Sequence, residues 1–165
     1  MSDMSVPFAA YRSAVRAEWL DYNGHMNDSS YGIVMSEANE LLFVELGLSA
    51  DYRASTGASL YTVESHIRYL AECSLDHTLN ATTMVVAAGH KKVHLYTELF
   101  RDDHRLAATG EFLYVHVDAA LGSSVPMPSE QQARVQDLAS SHAGLPRPGH
   151  LGLGVGSSRQ RSGCV

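Results

Sequence analysis

The apolar positions crowd together between residues 31 and 46. Ile33, Val34, Met35, Ala38, Leu41, Leu42, Phe43, Val44 and Leu46 leave little of a polar face. Such a stretch predicts a helix buried on several sides. Gly47 follows it and suits a helix C-cap. From residue 60 to 70 the period changes to two. Tyr61, Val63, Ser65, Ile67 and Tyr69 fall on one face and Thr62, Glu64, His66 and Arg68 on the other, which predicts a strand. Residues 78–88, 92–101 and 105–118 continue as β-rich runs. Turn signals at Gly89-His90-Lys91 and Asp102-Asp103-His104 separate them. Upstream, residues 11–20 alternate, with Ser13, Val15, Ala17 and Trp19 opposite Arg12, Arg16 and Glu18, and predict a first strand. Residues 48–59 read as a loop with a short helical turn at 50–54.

The predicted order is strand, long buried helix, then four antiparallel strands: an α+β chain whose five-stranded sheet wraps one helix. A further helix over 129–141, after Pro126 and Pro128, completes a single domain of residues 1–143. Residues 144–165 are rich in Gly, Ser and Pro and are expected to lack order of their own. One sheet over one helix leaves a sheet face and a strand edge uncovered. A homodimer is therefore expected, with two sheets joined edge to edge.

Composition narrows the function. The 165 residues are 45% hydrophobic, enough for one buried core. No apolar run approaches the ~20 residues that span a bilayer. The first residues do not follow the basic-then-apolar order of a secretory signal, so a cytoplasmic location is expected. The net charge of −6 argues against nucleic-acid binding. Cys73 and Cys164 are too few for a disulfide framework and carry no nucleophile signature. Nine histidines show no zinc spacing and no H-E-x-x-H, so no metal is expected.

The densest chemistry lies at Asp21-Tyr22-Asn23-Gly24-His25-Met26-Asn27, immediately before the long helix. A helix start offers unpaired backbone N–H groups and positive dipole, which stabilise a carbonyl oxygen as it becomes an oxyanion. A carboxylate a few residues upstream can attack the same carbonyl or activate water on it. Asp and Asn before a helix are also ordinary caps, and Gly24 an ordinary turn residue. Asp28 or Ser29 could serve as cap, which leaves Asp21, His25 and Asn27 for another role.

This segment resembles the hotdog-fold acyl-CoA thioesterases of the 4-hydroxybenzoyl-CoA thioesterase type, whose pattern is an Asp, then Gly-His-x-Asn, then an aromatic. The resemblance covers residues 11–118, and it adds a homotetramer to the assemblies expected. A closer resemblance, to betainyl-CoA thioesterases of bacterial carnitine breakdown, runs through W-L-D-Y-N-G-H-M-N-D-S-S-Y-G-I-V and S-L-Y-T-V-E-S-H-I-R-Y-L. It implies that Asp21 is the catalytic carboxylate and that backbone N–H groups of Gly24 and its neighbours face the thioester oxygen. Asn27 and His25 would order the loop or the water. Coenzyme A would be part of the substrate and no separate cofactor is implied. Arg68, Lys91, Lys92 and Arg101 are the candidates for its phosphates. A quaternary ammonium on the acyl group calls for a carboxylate and aromatic faces; Glu64, Trp19, Tyr22, Tyr61 and Tyr96 are the candidates. His66, beside Glu64, joins them as a group on the same strand face. Tyr61 faces away from Glu64 on an ideal strand. Glu37 and Glu40 are rivals to Asp21, because another branch of these enzymes uses a helix carboxylate. Two alternatives share the fold: a hydratase or dehydratase using Asp21 with His25, and a non-catalytic acyl-CoA-binding protein.

Overall fold

The computed structural model describes residues 5–157; Cys164 and residues 158–165 of the tail lie outside them. Its elements are β1 (Phe8–Ala14), a 3-10 turn (Ala17–Trp19), α1 (Asp28–Glu45), α2 (Ala50–Thr56), β2 (Ala58–Tyr69), β3 (Thr78–Ala88), β4 (Lys92–Arg101), β5 (Leu106–Asp118), the two-residue β6 (Ser123–Ser124) and α3 (Ser129–His142). The strands form one antiparallel sheet in the order β1-β3-β4-β5-β2, with β6 beside β5.

The inner face of the sheet packs on α1. Val34, Met35, Ala38 and Leu42, at helical spacing, meet Leu79, Val85, Leu95, Leu99 and Phe112 in one core. Gly110 on β5 permits the closest approach, since a methyl group there would overlap the Phe112 ring and the Met35 thioether. Asn39 lies within this core. Its Oδ1 accepts from Thr97 Oγ1 at 2.7 Å and Thr83 Oγ1 at 3.2 Å, and its Nδ2 donates to Tyr114 Oη at 3.0 Å. A polar residue mid-helix thus ties α1 to β3, β4 and β5 at once. The helix ends in a Schellman motif: Gly47, at φ +73°, donates to Val44 O and Leu48 donates to Phe43 O.

The first strand differs from expectation. It begins three residues earlier, ends at Ala14, and gives way to the 3-10 turn. Tyr11, Val15 and Trp19 are all buried, whereas Ala17 is exposed. A chain turning into the core mimicked the alternation of a strand.

Strand β2 carries a bulge at Val63: Thr62 pairs with Tyr114 and Glu64 with Leu113. The extra residue reverses the alternation. Tyr61, paired with Val115, therefore shares the outer face with Glu64, His66 and Arg68, contrary to the ideal strand. β2 is also an edge, with Tyr61, Val63 and Tyr69 each about half exposed. Ile33, Leu41 and Val44 of α1 are exposed too, so the helix is less enclosed than its composition suggests.

The segment 144–157 is held against the outer sheet face, where no order is expected from its composition. Gly152 N–H donates to Glu111 Oε2 and Arg68 Nη2 to Gly154 O, and Leu151 is buried. Specific hydrogen bonds supply what apolar content does not.

Candidate active site

The loop before α1 is a closed hairpin. Leu20 and Met26 form an antiparallel bridge, Asp21 N–H donates to His25 O at 2.8 Å, and Gly24 N–H donates to Asp21 O at 3.0 Å. Gly24 sits at φ +75°, where a side chain would be strained. Inside the hairpin the Asp21 carboxylate folds onto Asn23: Oδ1 accepts the Asn23 N–H at 2.7 Å, and Oδ2 lies 3.4 Å from Asn23 Nδ2. The Asn23 backbone bond, aided by the Asn23 side chain and by His25, holds the Asp21 carboxyl below the usual carboxylate range. Asp21 is partly exposed and ionised at neutral pH.

Asn27 is the N-cap of α1, a role expected of Asp28 or Ser29. Its Oδ1 accepts from Ser30 N–H at 3.0 Å and from the Ser29 and Ser30 hydroxyls. Its N–H and Nδ2 both donate to Trp19 O at 2.8 Å. Asn27 therefore positions the helix start against the preceding turn. Ser29 N–H goes to the Asp28 carboxylate at 2.8 Å. The Asp28 N–H, first in the helix, has no acceptor among the described residues. The amide free to meet an oxyanion is thus that of Asp28. Gly24, expected in that place, lies four residues upstream with its N–H already bonded to Asp21.

A cavity of about 460 Å³ opens at this helix start, lined by Met26, Asp28, Tyr31, Tyr69, Leu70, Ala71, Glu72 and Arg105. Tyr31 and Tyr69 stand edge to face, with ring centroids 5.2 Å apart. Their hydroxyls donate to Ala71 O and Asp28 O at 3.1 and 3.3 Å. His25 Nδ1 lies 3.9 Å from Glu72 Oε2 and links the Asp21 loop to the cavity wall. Asp21 and His25 meet through backbone atoms, without the side-chain hydrogen bond that an acid–base pair would show among these contacts. Burial pushes the Cys73 thiol up, away from the thiolate.

The remaining sequence candidates are dispersed. Trp19 is buried under the Arg16 guanidinium, 4.7 Å from its ring centroid, so its face is already occupied. Tyr22 is 98% exposed at the tip of the Asp21 loop. Glu64 and His66 lie on the outer face, in a second cavity of about 500 Å³ with His94, Glu111 and the tail. Tyr61 shares that face. Tyr96 is buried there; desolvation and the nearby Glu98 push its hydroxyl up to about 12. None of these four faces α1.

The cationic residues do not form one cluster. Lys92 and Arg101 stand at opposite ends of β4, ~30 Å apart at strand rise. Lys91 donates to Ser124 O, Arg68 to the tail, and Arg101 to Asp103 and Glu72 O. Arg105, in the turn after β4, is the basic residue lining the cavity at α1; nothing in its local sequence distinguishes it from other turn residues. Of the rival helix carboxylates, Glu37 accepts from Tyr11 Oη at 2.9 Å, and Glu40 is raised by partial burial.

The sheet wrapped on α1 is the hotdog fold, and an ionised carboxylate in a hydrogen-bonded loop, shortly before a helix whose first amide has no acceptor among the described residues, is equipment that carboxylate-dependent acyl transfer can use. The chain belongs to the thioesterase-like superfamily, whose sequence profile matches residues 15–135. The betainyl-CoA thioesterase of Pseudomonas aeruginosa is 33% identical over 93% of this chain and 97% of its own length. An L-carnitine dehydrogenase/betainyl-CoA thioesterase of Agrobacterium fabrum is 36% identical over 93% of this chain, which spans about a third (31%) of that protein. A Staphylococcus aureus protein solved in complex with CoA superposes with a TM-score of 0.84, at 25% identity, over 91% of this chain and 96% of that one.

Proposed function

We propose that the protein hydrolyses an acyl-CoA thioester, and that its acyl group is betainyl or a close cationic relative. The observation that carries the reading is the ionised Asp21 carboxylate, locked by Asn23 and by the bridged hairpin just before the free amide of Asp28. The thioester carbonyl oxygen accepts the Asp28 N–H. Asp21 takes a proton from water, or attacks the carbonyl carbon itself, and both roles need the ionised form. Charge that builds on oxygen in the tetrahedral state meets the amide and the helix dipole. Collapse expels CoA as thiolate, which takes up a proton. The general-base route leaves the free acid at once, and the nucleophilic route leaves a mixed anhydride on Asp21 that a water molecule then hydrolyses to the free acid. Asn27 and Asn23 hold this geometry. The betainyl preference is supported by the Pseudomonas relative, matched over nearly its full length.

The half-exposed apolar edge of β2 and the exposed side of α1 support an edge-to-edge homodimer. Sedimentation at micromolar protein should give twice the chain mass; a monomer would overturn the dimer.

The direct test is thiol release from betainyl-CoA by Asp21→Asn. The variant should fold as the parent does, keep KM within a few-fold, and lose ~10²–10⁴ in kcat. Near-parental turnover would overturn the assignment of Asp21.

A further inference from the structure

We infer that the cation site for the acyl group is the cavity at the start of α1, built by the Tyr69 and Tyr31 rings with the carboxylates of Asp28 and Glu72. This deepens the thioesterase reading and rests on it. In a betainyl thioester one methylene separates the quaternary nitrogen from the carbonyl carbon, so the two lie only about 2.5 Å apart. Whatever receives the trimethylammonium must adjoin whatever receives the carbonyl oxygen. If the oxygen meets the Asp28 amide, residues on the outer sheet face cannot touch the cation. That removes Glu64, Tyr61 and Tyr96 from consideration, since the whole sheet stands between.

The cavity at α1 meets the requirement. Tyr69 Oη lies 3.3 Å from the carbonyl oxygen of Asp28, the same residue whose amide is free. Tyr31 donates to Ala71 O and stands edge to face with Tyr69, so both rings are fixed in place. A fixed aromatic face attracts a quaternary ammonium through its quadrupole, and more strongly where water is scarce. Two carboxylates against one guanidinium leave the lining acidic. A zwitterion-like transition state needs opposite fields side by side. The free amide serves the oxyanion, while the rings with Asp28 and Glu72 serve the ammonium. Trp19, a sequence candidate for the same task, already lies under Arg16.

The test compares kcat/KM for betainyl-CoA and for 3,3-dimethylbutyryl-CoA, its neutral isostere, in the full chain. The ratio of the two cancels effects shared by both substrates, including partial loss of folded protein. Tyr69→Leu should lower the ratio ~10-fold, Tyr69→Phe should hold it within ~3-fold because the ring remains, and Glu72→Gln should lower it a few-fold. An unchanged ratio in Tyr69→Leu would overturn the cation site. So would a parent enzyme that hydrolyses the neutral isostere as well as betainyl-CoA, and that result would leave the thioesterase reading standing. CoA release from neither substrate would overturn the thioesterase reading and the cation site with it.

Discussion

Replacing Asn39 by Leu probes what fixes α1 in its sheet. The side chain is fully buried and makes three hydrogen bonds, to Thr83, Thr97 and Tyr114. Leucine has the same branched side-chain skeleton with bulkier methyl ends, so it keeps the shape and adds a modest overpacking cost. The polar change is larger. Thr83 and Thr97 can still bond each other at 3.2 Å, and Thr62 also reaches the Tyr114 hydroxyl. One threonine hydroxyl proton is then left buried without an acceptor. Three lost bonds at a net ~1 kcal/mol each, the orphaned hydroxyl, and a partial return from apolar burial give a destabilisation of about 3 kcal/mol. Urea unfolding at one fixed protein concentration measures it, with an unchanged m-value as the control. The triple variant Asn39→Leu, Thr83→Val, Thr97→Val should recover most of the loss, because it removes the stranded partners as well. The reasoning fails if Asn39→Leu alone costs less than about 0.5 kcal/mol, or if the triple variant is no more stable than the single one.

Two pH dependences follow from the same structure. His142 is buried as the neutral ring, with Nδ1 accepting from Val85 N–H at 2.9 Å and Nε2 donating to Val6 O at 3.1 Å. Burial lowers its pKa below 6.5, with the Val6 bond opposing. The unfolded chain therefore binds the proton first, and stability contributed above pH 6.5 is lost as pH falls toward the folded value. The melting temperature of the parent should drop more steeply between pH 7 and 5 than that of His142→Gln, and parallel curves would refute this. For Asp21, whose carboxyl is held low chiefly by the Asn23 backbone N–H, the acid limb of kcat/KM should lie below the ordinary aspartate range and stay nearly in place in Asn23→Ala, which keeps that N–H; a parent limb at or above the ordinary range would refute the hold.

The fold was legible wherever one periodicity ruled. The apolar crowding of α1, its Gly47 terminus, and the turns around β4 all carry local signals that the tertiary structure reinforces. The first strand misled because Tyr11, Val15 and Trp19 are buried from two different elements, and spacing alone does not reveal a change of element. The bulge at Val63 was silent for a related reason. Val63 is an ordinary strand residue, and only its pairing with β5 makes it supernumerary. That one residue decided whether Tyr61 and Glu64 share a face. Within the candidate site, Asp21 and the helix start stood out by residue type. The N-cap went to Asn27 over Asp28 because a tertiary partner, the Trp19 carbonyl, also holds its amide group. Tyr69, Glu72 and Arg105 reach the cavity from three separate segments, and nothing in sequence spacing joins them.

The geometry of the Asp21 loop also adds a reason to expect the proposed homodimer to matter for activity. Its ends are locked by the Leu20–Met26 bridge and by the Asn27 contacts to Trp19. Its tip is bare: Tyr22 stands almost wholly in solvent, and an added Cβ at Gly24 would meet nothing within 4 Å. An amide that faces a developing oxyanion is worth far more where water is excluded. In the single chain the loop side of the cavity has no such cover. The exposed apolar positions flank it, Ile33 near the start of α1 and Tyr69 with Leu70 at the end of β2. Covering these residues with a partner subunit would bury apolar surface and dry the site in one step. Assembly and catalysis should therefore fail together: dilution that splits the dimer should lower specific activity in proportion to the monomer formed.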